Sequence, residues 1–290
     1  MDFFCQRDRW QHKFIDMHRM KFKLSAMCRA LKVSRSGYYR RCNKNDDSPL
    51  RGDIQRVFLE SKKSYGSPRI HRQLQSEGIA CGRHRIARLM REDGIVARKR
   101  RKYKKPVSQQ RIQPVAHNIL GRAFRVGEKN TIWACDVSYF WTRSGWIHLA
   151  VVMDLFSRRI IGWSMNDRLD KELTKDALRM ALAARAPDCS VMHHSDQGAE
   201  YSNNEYQSLL RENKMTISMS RKANCYDNAV VESFFKTIKT ELTRHRQFNT
   251  KDEARSAIFE YIEVFYNRKR MHSTLGYLSP AEYERLNSTN

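Results

Sequence analysis

The spacing of apolar residues changes near residue 126. Upstream, apolar positions recur three and four apart, the period of a helix packed on one side. SAMCRAL, a Lys-Val-Ser break and then SRSGYYR predict two short helices within 24–41, the second capped by Ser34. SPRIHRQLQSEGIACGRHRIARLMREDGI (67–95) predicts a second helical pair, one helix ending near Gly78 and the next running from about Arg83 to Glu92, with Ile86, Leu89 and Met90 buried. Downstream the period shortens. TIWACDVSYFWT, SGWIHLAVVMDLFS and IIGWSMN are rich in β-branched and aromatic residues, and their short connections predict an antiparallel meander. A helix at 170–185, a strand ending at Asp196, a helix near 203–214, the strand TISMS and two long helices at about 228–245 and 250–269 complete the pattern. The fold class expected is α/β, a mixed sheet flanked by helices, preceded by all-α units of helix-turn-helix type.

Charge sharpens this division. The net charge is +24, and residues 1–125 carry 32 Lys+Arg against 10 Asp+Glu, while the rest of the chain is close to neutral. Such asymmetry points to a polyanion held by the N-terminal half. In the first helical pair, Arg35, Tyr38 and Arg40 are expected at the surface of a recognition helix. In the second, Arg83, Arg85 and Arg88 decorate the second helix. RKRRKYKKPVSQQR (98–111) holds eight Lys/Arg and no acid, so Arg100, Arg101 and Lys102 are candidate phosphate contacts on a linker arm. The domains expected are 1–48, 49–97, a basic linker at 98–125 and a catalytic domain at 126–290. No segment approaches the ~18 uninterrupted apolar residues of a membrane span. The start has no signal-peptide pattern, so an intracellular, cytoplasmic protein is expected. Seven scattered cysteines without a CxxC pair indicate neither disulfides nor zinc.

Three carboxylates stand at telling positions. Asp136 lies inside the first strand, where a charge is costly without a partner. Asp196 ends the fourth strand. Glu232 borders the helical stripe Val231, Phe234, Ile238 and Leu242, with Lys239 roughly 20° from it on the wheel. The gaps are 59 and 35 residues. Carboxylates from two strands and a helix that meet at one sheet end repel one another unless a cation joins them. Hard oxygen donors suit Mg²⁺ or Mn²⁺, and a pair of ions is the usual device for displacement at a phosphodiester. Asp154 is expected to be structural. His193 and His194 alternate on one strand, so only one of them, with His194 the candidate, can line the site. Asn228, one turn before Glu232, is placed to cap its helix or line the site. Tyr266, Asn267, Arg270 and His272 lie at a helix end, where Asn267 and Arg270 are further candidates.

Together with IWACDVSYF, LAVVMDLFSRRIIGW, HHSDQGAEYSN, CYDNAVVESFFKTIKTEL and YNRKRMHSTLGYLSPAEYE, and with CRALKVSRSGYYR and YGSPRIHRQL upstream, this pattern resembles the DDE transposases of two-reading-frame insertion sequences, OrfB-type catalytic subunits akin to retroviral integrases. The resemblance spans about residues 24–285. It implies an RNase H-like core that exposes a 3′-OH at the element's end and uses it in strand transfer. It implies that Asp136 bridges two metal ions, that Asp196 and Glu232 each bind one, and that Lys239, with Lys236 nearby, holds DNA. It further implies terminal inverted repeats and target DNA as substrates, an OrfA-type partner or OrfAB fusion, and a homo-oligomer on DNA. Two readings share these features: a metal nuclease of the same fold that cuts without joining, and a non-catalytic DNA-binding regulator.

Overall fold

Alternation along the strands divides the second half of the chain into two apolar layers. In the computed structural model, which describes residues 2–42, 47–98, 116–221, 227–244 and 246–288, the strands are β1 (Ile132–Thr142), β2 (Gly145–Asp154), β3 (Ile160–Asn166), β4 (Met192–Ser195) and β5 (Thr216–Met219). They form one mixed sheet in the order β3-β2-β1-β4-β5. The meander β1-β2-β3 is antiparallel, while β4 and β5 run parallel to β1. Period 2 puts Trp133 and Cys135 of β1 on one face with Ala150 and Val152 of β2. Ala134 and Phe140 lie on the other with Leu149 and Val151.

The helices follow that division. The first face is covered by α7 (Lys171–Arg185) and α9 (Asn204–Glu212), the latter preceded by the short α8 (Ala199–Ser202). Asp170 caps α7 by accepting from the Leu173 N–H at 2.9 Å. A Cβ on Gly162 of β3 would lie 2.2 Å from the Ala177 carbonyl oxygen, so glycine lets α7 pack this close. The opposite face is covered by α10 (Ala229–Ile238) and α11 (Lys251–Phe259). The predicted stripe Val231, Phe234, Ile238 and Leu242 is buried there. Both long C-terminal helices widen at their ends. The N–H of Arg244 bonds the Lys239 carbonyl, and that of Asn267 the Ile262 carbonyl, each at 3.0 Å across five residues. A last helix, α12 (Pro280–Asn287), was not anticipated by the periodicity; its Glu284 accepts from Ser157 at 2.7 Å and from Arg159 at 2.7 Å.

The described chain divides into two compact units, Met1–Asp53 and Ile54–Asn290. The first holds α1 (Asp2–His18), α2 (Leu24–Ala30) and α3 (Arg35–Cys42), closed over Ile15, Met27, Cys28 and Tyr38. Ser34 caps α3, accepting from the Gly37 N–H at 3.1 Å. The helix α4 (Ser48–Glu60) spans the boundary between the units. The pair α5 (Ser67–Ser76) and α6 (Arg83–Glu92) belongs to the second unit, together with the sheet. It is fastened there by the Tyr65 hydroxyl, which accepts from the Met271 N–H at 2.7 Å, and by the Lys62–Glu260 ion pair at 2.7 Å. The Arg98 guanidinium donates to the Glu241 carbonyl. No helix among the described residues is long and apolar enough to cross a membrane.

Candidate functional site

Strand register brings the first two acids together. Ala134 of β1 is opposite His194 of β4 in parallel register. Two residues further on along the chain in each case are Asp136, the fifth residue of β1, and Asp196, one residue past the end of β4. Even positions of β1 face α10, so the Asp136 carboxylate points toward the helix that carries Glu232. Burial pushes the Asp136 carboxyl well above the usual carboxylate range. The charge of Asp196 adds to this, a bond from the Val137 N–H at 2.8 Å opposes it, and the charges of Glu232 and Glu200 add again.

Each acid is oriented by its own segment. Asp196 accepts from the Gly198 N–H at 2.9 Å, and Glu232 pairs with Lys236 at 3.2 Å. Lys239, one residue past the end of α10, donates to the Ser138 hydroxyl at 2.6 Å. Ser138 is on the same face of β1 as Asp136. Burial lowers the Lys239 pKa, and the Asp136 charge opposes that shift. Carboxylates that repel one another at a sheet end are the donor chemistry a hard divalent cation requires. Among the described residues no three His, Cys, Asp or Glu side chains are drawn together as a closed cage. The acids turn instead to backbone N–H groups and to Lys236, so rotation of these side chains is what would gather them around an ion.

Comparison with known proteins agrees with this geometry. Family models described as an integrase core domain match residues 127–225 and 232–287, and an HTH-like domain model matches 44–103. An uncharacterized 31 kDa protein of insertion element IS600 from Shigella sonnei is 40% identical over 263 residues, 89% of this chain and 97% of its own length. Transposase InsF of insertion sequence IS3A from Escherichia coli strain K12 is 38% identical over 285 residues, 96% and 99% of the two chains. This chain belongs to the IS3 transposase family. The enzyme class is that of the DDE polynucleotidyl transferases, and the mixed sheet is an integrase-type, RNase H-like core. The HTLV-2 integrase catalytic core domain, solved in complex with magnesium, covers 54% of this chain and 97% of its own at 16% identity and a TM-score of 0.41. A likeness that distant carries no argument, and family membership rests on the near-full-length relatives.

Several candidate residues of the transposase are committed elsewhere. Tyr38 was expected on a recognition surface. It is 3% exposed, packed in the first unit's core, and its hydroxyl donates to Asp16 at 2.7 Å. The alternation of Arg and Tyr in that short helix hid which side faces inward. His194 is buried, with ring nitrogens 2.9 and 3.1 Å from the Ser218 and Ser220 hydroxyls. His193 faces the other layer, 2.8 Å from the Tyr206 hydroxyl. Asn267 holds β3 by accepting from the Ile160 N–H at 3.0 Å and donating to its carbonyl at 2.9 Å. Arg270 is buried against Glu241 at 2.7 Å, and Tyr266 is buried beside it. None of these offers a side chain to solvent. Asn228 stands at the cap position just before α10 but makes no side-chain cap. It donates to the Cys135 carbonyl at 2.9 Å, which ties the helix to β1 next to Asp136. Asp154, opposite Trp133 at the end of β2, accepts from the Asn130 and Phe156 N–H groups.

Arg35 and Arg83 are exposed, Arg85 is half-buried, and Arg88 pairs with Glu92 at 2.7 Å. The Arg40 side chain, Arg100, Arg101 and Lys102 lie outside the described residues.

Sequence reasoning passed over two features. Glu200 is a fourth acid in the field of Asp136; burial raises its pKa and so does Asp196. Asp227, just before α10, is fully buried. It accepts from Asn118 at 2.8 Å, from Arg122 at 2.9 Å and from the Arg221 Nε at 3.0 Å. The Arg221 bond, aided by Arg122, holds its carboxyl below the usual range against burial. An acid at a helix start is a readable signal. Its two arginines, 105 and 6 residues away in the chain, are not.

Proposed function

We propose that this transposase cuts a DNA strand at the end of its insertion sequence to free a 3′-OH and then joins that 3′-OH to a second phosphodiester. The observation that carries the reading is that Asp136, Asp196 and Glu232 lie in one another's field just past the β1–β4 pairing, with Lys239 beside Ser138 on the same side of β1. Asp136, Asp196 and Glu232 would hold Mg²⁺ or Mn²⁺, two ions with Asp136 shared. Bound divalent cations lower the pKa of an attacking water and stabilise the leaving oxygen. The chain's own residues supply the rest. Lys239, fixed by Ser138 two residues beyond Asp136, holds the phosphate beside the acids. Lys236, released from Glu232 when that carboxylate turns to a cation, is free to pair with a neighbouring phosphate. Asn228 holds the start of α10 against Cys135, so Glu232 keeps its height over the sheet. Arg35, Arg83, Arg85, Arg88 and the basic 98–111 segment would track the DNA backbone.

Terminal inverted repeats and target DNA are the substrates in this reading. An OrfA-type partner or fusion supports end recognition, a homo-oligomer pairs the ends, and the bacterial cytoplasm is the setting. The test uses purified chain, terminal-repeat DNA and Mg²⁺. Wild type is expected to give 3′-end cleavage and a joined product, and Asp136→Asn neither. Equal products from both proteins would overturn the assignment, and cleavage without joining would make the chain a nuclease.

A further inference from the structure

Three aromatic side chains stand in water on the β1–β2 hairpin, beyond the acids. Tyr139 is 54% exposed, Trp141 57% and Trp146 46%. They touch edge to face, with centroids 5.1 Å apart for Tyr139–Trp146 and 4.8 Å for Trp141–Trp146. Register explains the cluster, because Trp141 is directly opposite Trp146 and Tyr139 opposite His148. All three project on the face that α7 and α9 cover nearer the strand centre, and no helix among the described residues covers the outer end of the hairpin. A folded chain gains nothing from exposing adjacent indoles, and patches of this kind mark binding surfaces.

The patch adjoins the site across the edge of β1. Among the described residues β4 pairs with β1 only over Ile132–Ala134, and no strand pairs with that edge again until the single bridge from Thr142 to Phe248. At that edge the Lys239 ammonium is 2.6 Å from the Ser138 hydroxyl and 4.8 Å from the Tyr139 ring centroid. Lys239 thus reaches round the strand edge from the face of the acids to the Tyr139 ring, and the three rings continue on the other face toward the hairpin tip, where Arg143 is exposed. At about 3.3 Å per residue, Tyr139 is roughly 10 Å from Asp136 and Trp141 roughly 17 Å, a span of a few nucleotides.

We infer that this shelf binds unpaired DNA by stacking: bases of the strand leading away from the cleavage position lie on Tyr139, Trp146 and Trp141, while Lys239 and Arg143 meet its phosphates. Aromatic faces between cations suit a polyanion that offers flat bases, and duplex DNA hides those faces. A second copy of the chain would find the same rings but would have no use for the flanking charges. The inference rests on the transposase reading only in taking DNA as the polymer.

The experiment measures binding of the full chain to a short single-stranded oligonucleotide and to an abasic strand of equal length, without divalent metal. A chain that fails to cleave with Mg²⁺ therefore still gives a result here. Wild type should prefer the base-bearing strand, with quenching of tryptophan fluorescence. Trp141→Ala and Trp146→Ala should each lose roughly 5- to 150-fold of that preference, the range for one stacked base. They should keep the wild-type salt dependence and melting temperature, and Trp141→Phe should retain most of the preference. Equal affinity of wild type for both strands would overturn the inference. So would alanine variants that keep the preference but change sedimentation from oligomer to monomer, since the shelf would then be an interface between copies.

Discussion

Two sets of carboxylates meet around α10, and the protein treats them oppositely. Asp227 and Glu241 are neutralised by their own arginines, Arg122 and Arg221 for the first and Arg270 for the second. Tyr261 adds a bond to Glu241 at 2.7 Å. Between them, Glu232 faces Asp136 and Asp196, where burial and mutual repulsion raise the Asp136 pKa. Where the chain supplies the countercharge, the carboxylate is structural. Where acids lie in one another's field, Lys236 pairs with Glu232, and the mutual repulsion that remains is what a divalent cation would relieve. Burial runs with the difference: Asp227 and Glu241 are buried, while Asp136, Asp196 and Glu232 are half-buried.

The comparison breaks most sharply at α10. Glu232→Gln is expected to lower strand cleavage and transfer about a thousandfold or more, since transition-state charge stabilisation is lost, with urea unfolding little changed. Glu241→Ala, nine residues on, should do the reverse. It leaves the Arg270 charge buried and unpaired, which costs about 3–5 kcal/mol in urea unfolding. Equal stability losses in the two variants would erase the distinction. Asp227→Ala comes next, at about 2–3 kcal/mol, because hydrogen bonds from two arginines and an asparagine are lost together. Both arginines are half-exposed or more, which keeps the cost below that of the Glu241 pair.

The sequence carried the fold and the acids further than it carried their surroundings. Strand alternation, the Val231–Leu242 stripe and the span Arg83–Glu92 were legible because each depends on local period. Asp136 and Glu232 stood out as charges inside or beside apolar runs. Asn267 and Arg270 were misplaced for one physical reason: a polar side chain at a helix end reads the same whether its partner is water or a buried group far along the chain; Tyr38 was misplaced because alternating Arg and Tyr within α3 hide its inward side. Arg270 and Glu241 are 29 residues apart, and Asn267 and Ile160 are 107 apart, separations that no local pattern encodes.

A smaller effect has the opposite sign. In metal-free protein at neutral pH, Asp136→Asn should raise stability by about 1 kcal/mol, as relieving a strained active site commonly does. The sign follows from the raised folded pKa: holding this carboxylate ionised opposes folding at neutral pH. Mg²⁺ should raise the melting temperature of wild type and leave that of the variant unchanged. A variant less stable than wild type would show that Asp136 is itself clasped.

The smallest effect tests the boundary between the two regions, where His194 sits near Asp227. Burial brings the His194 pKa down to about 4, with Asp227 opposing, and burial together with His194 brings His193 down to about 3. Both rings are thus neutral in the folded chain across the physiological range, while the unfolded chain protonates them near pH 6.5. Below that value the unfolded state binds more protons, so their contribution to stability is present above pH 6.5 and is lost as pH falls toward 4 and then 3. Asp227 does not confuse this window, because its folded pKa is depressed and its contribution is lost only below the ordinary carboxylate range. Urea unfolding at pH 7 and pH 4.5 should therefore show a stability loss that His194→Asn reduces by about one proton's worth of slope. An unchanged slope would mean that His194 is protonated in the fold and belongs to the charged clasp with Asp227, on the side of the comparison where the protein supplies its own cations.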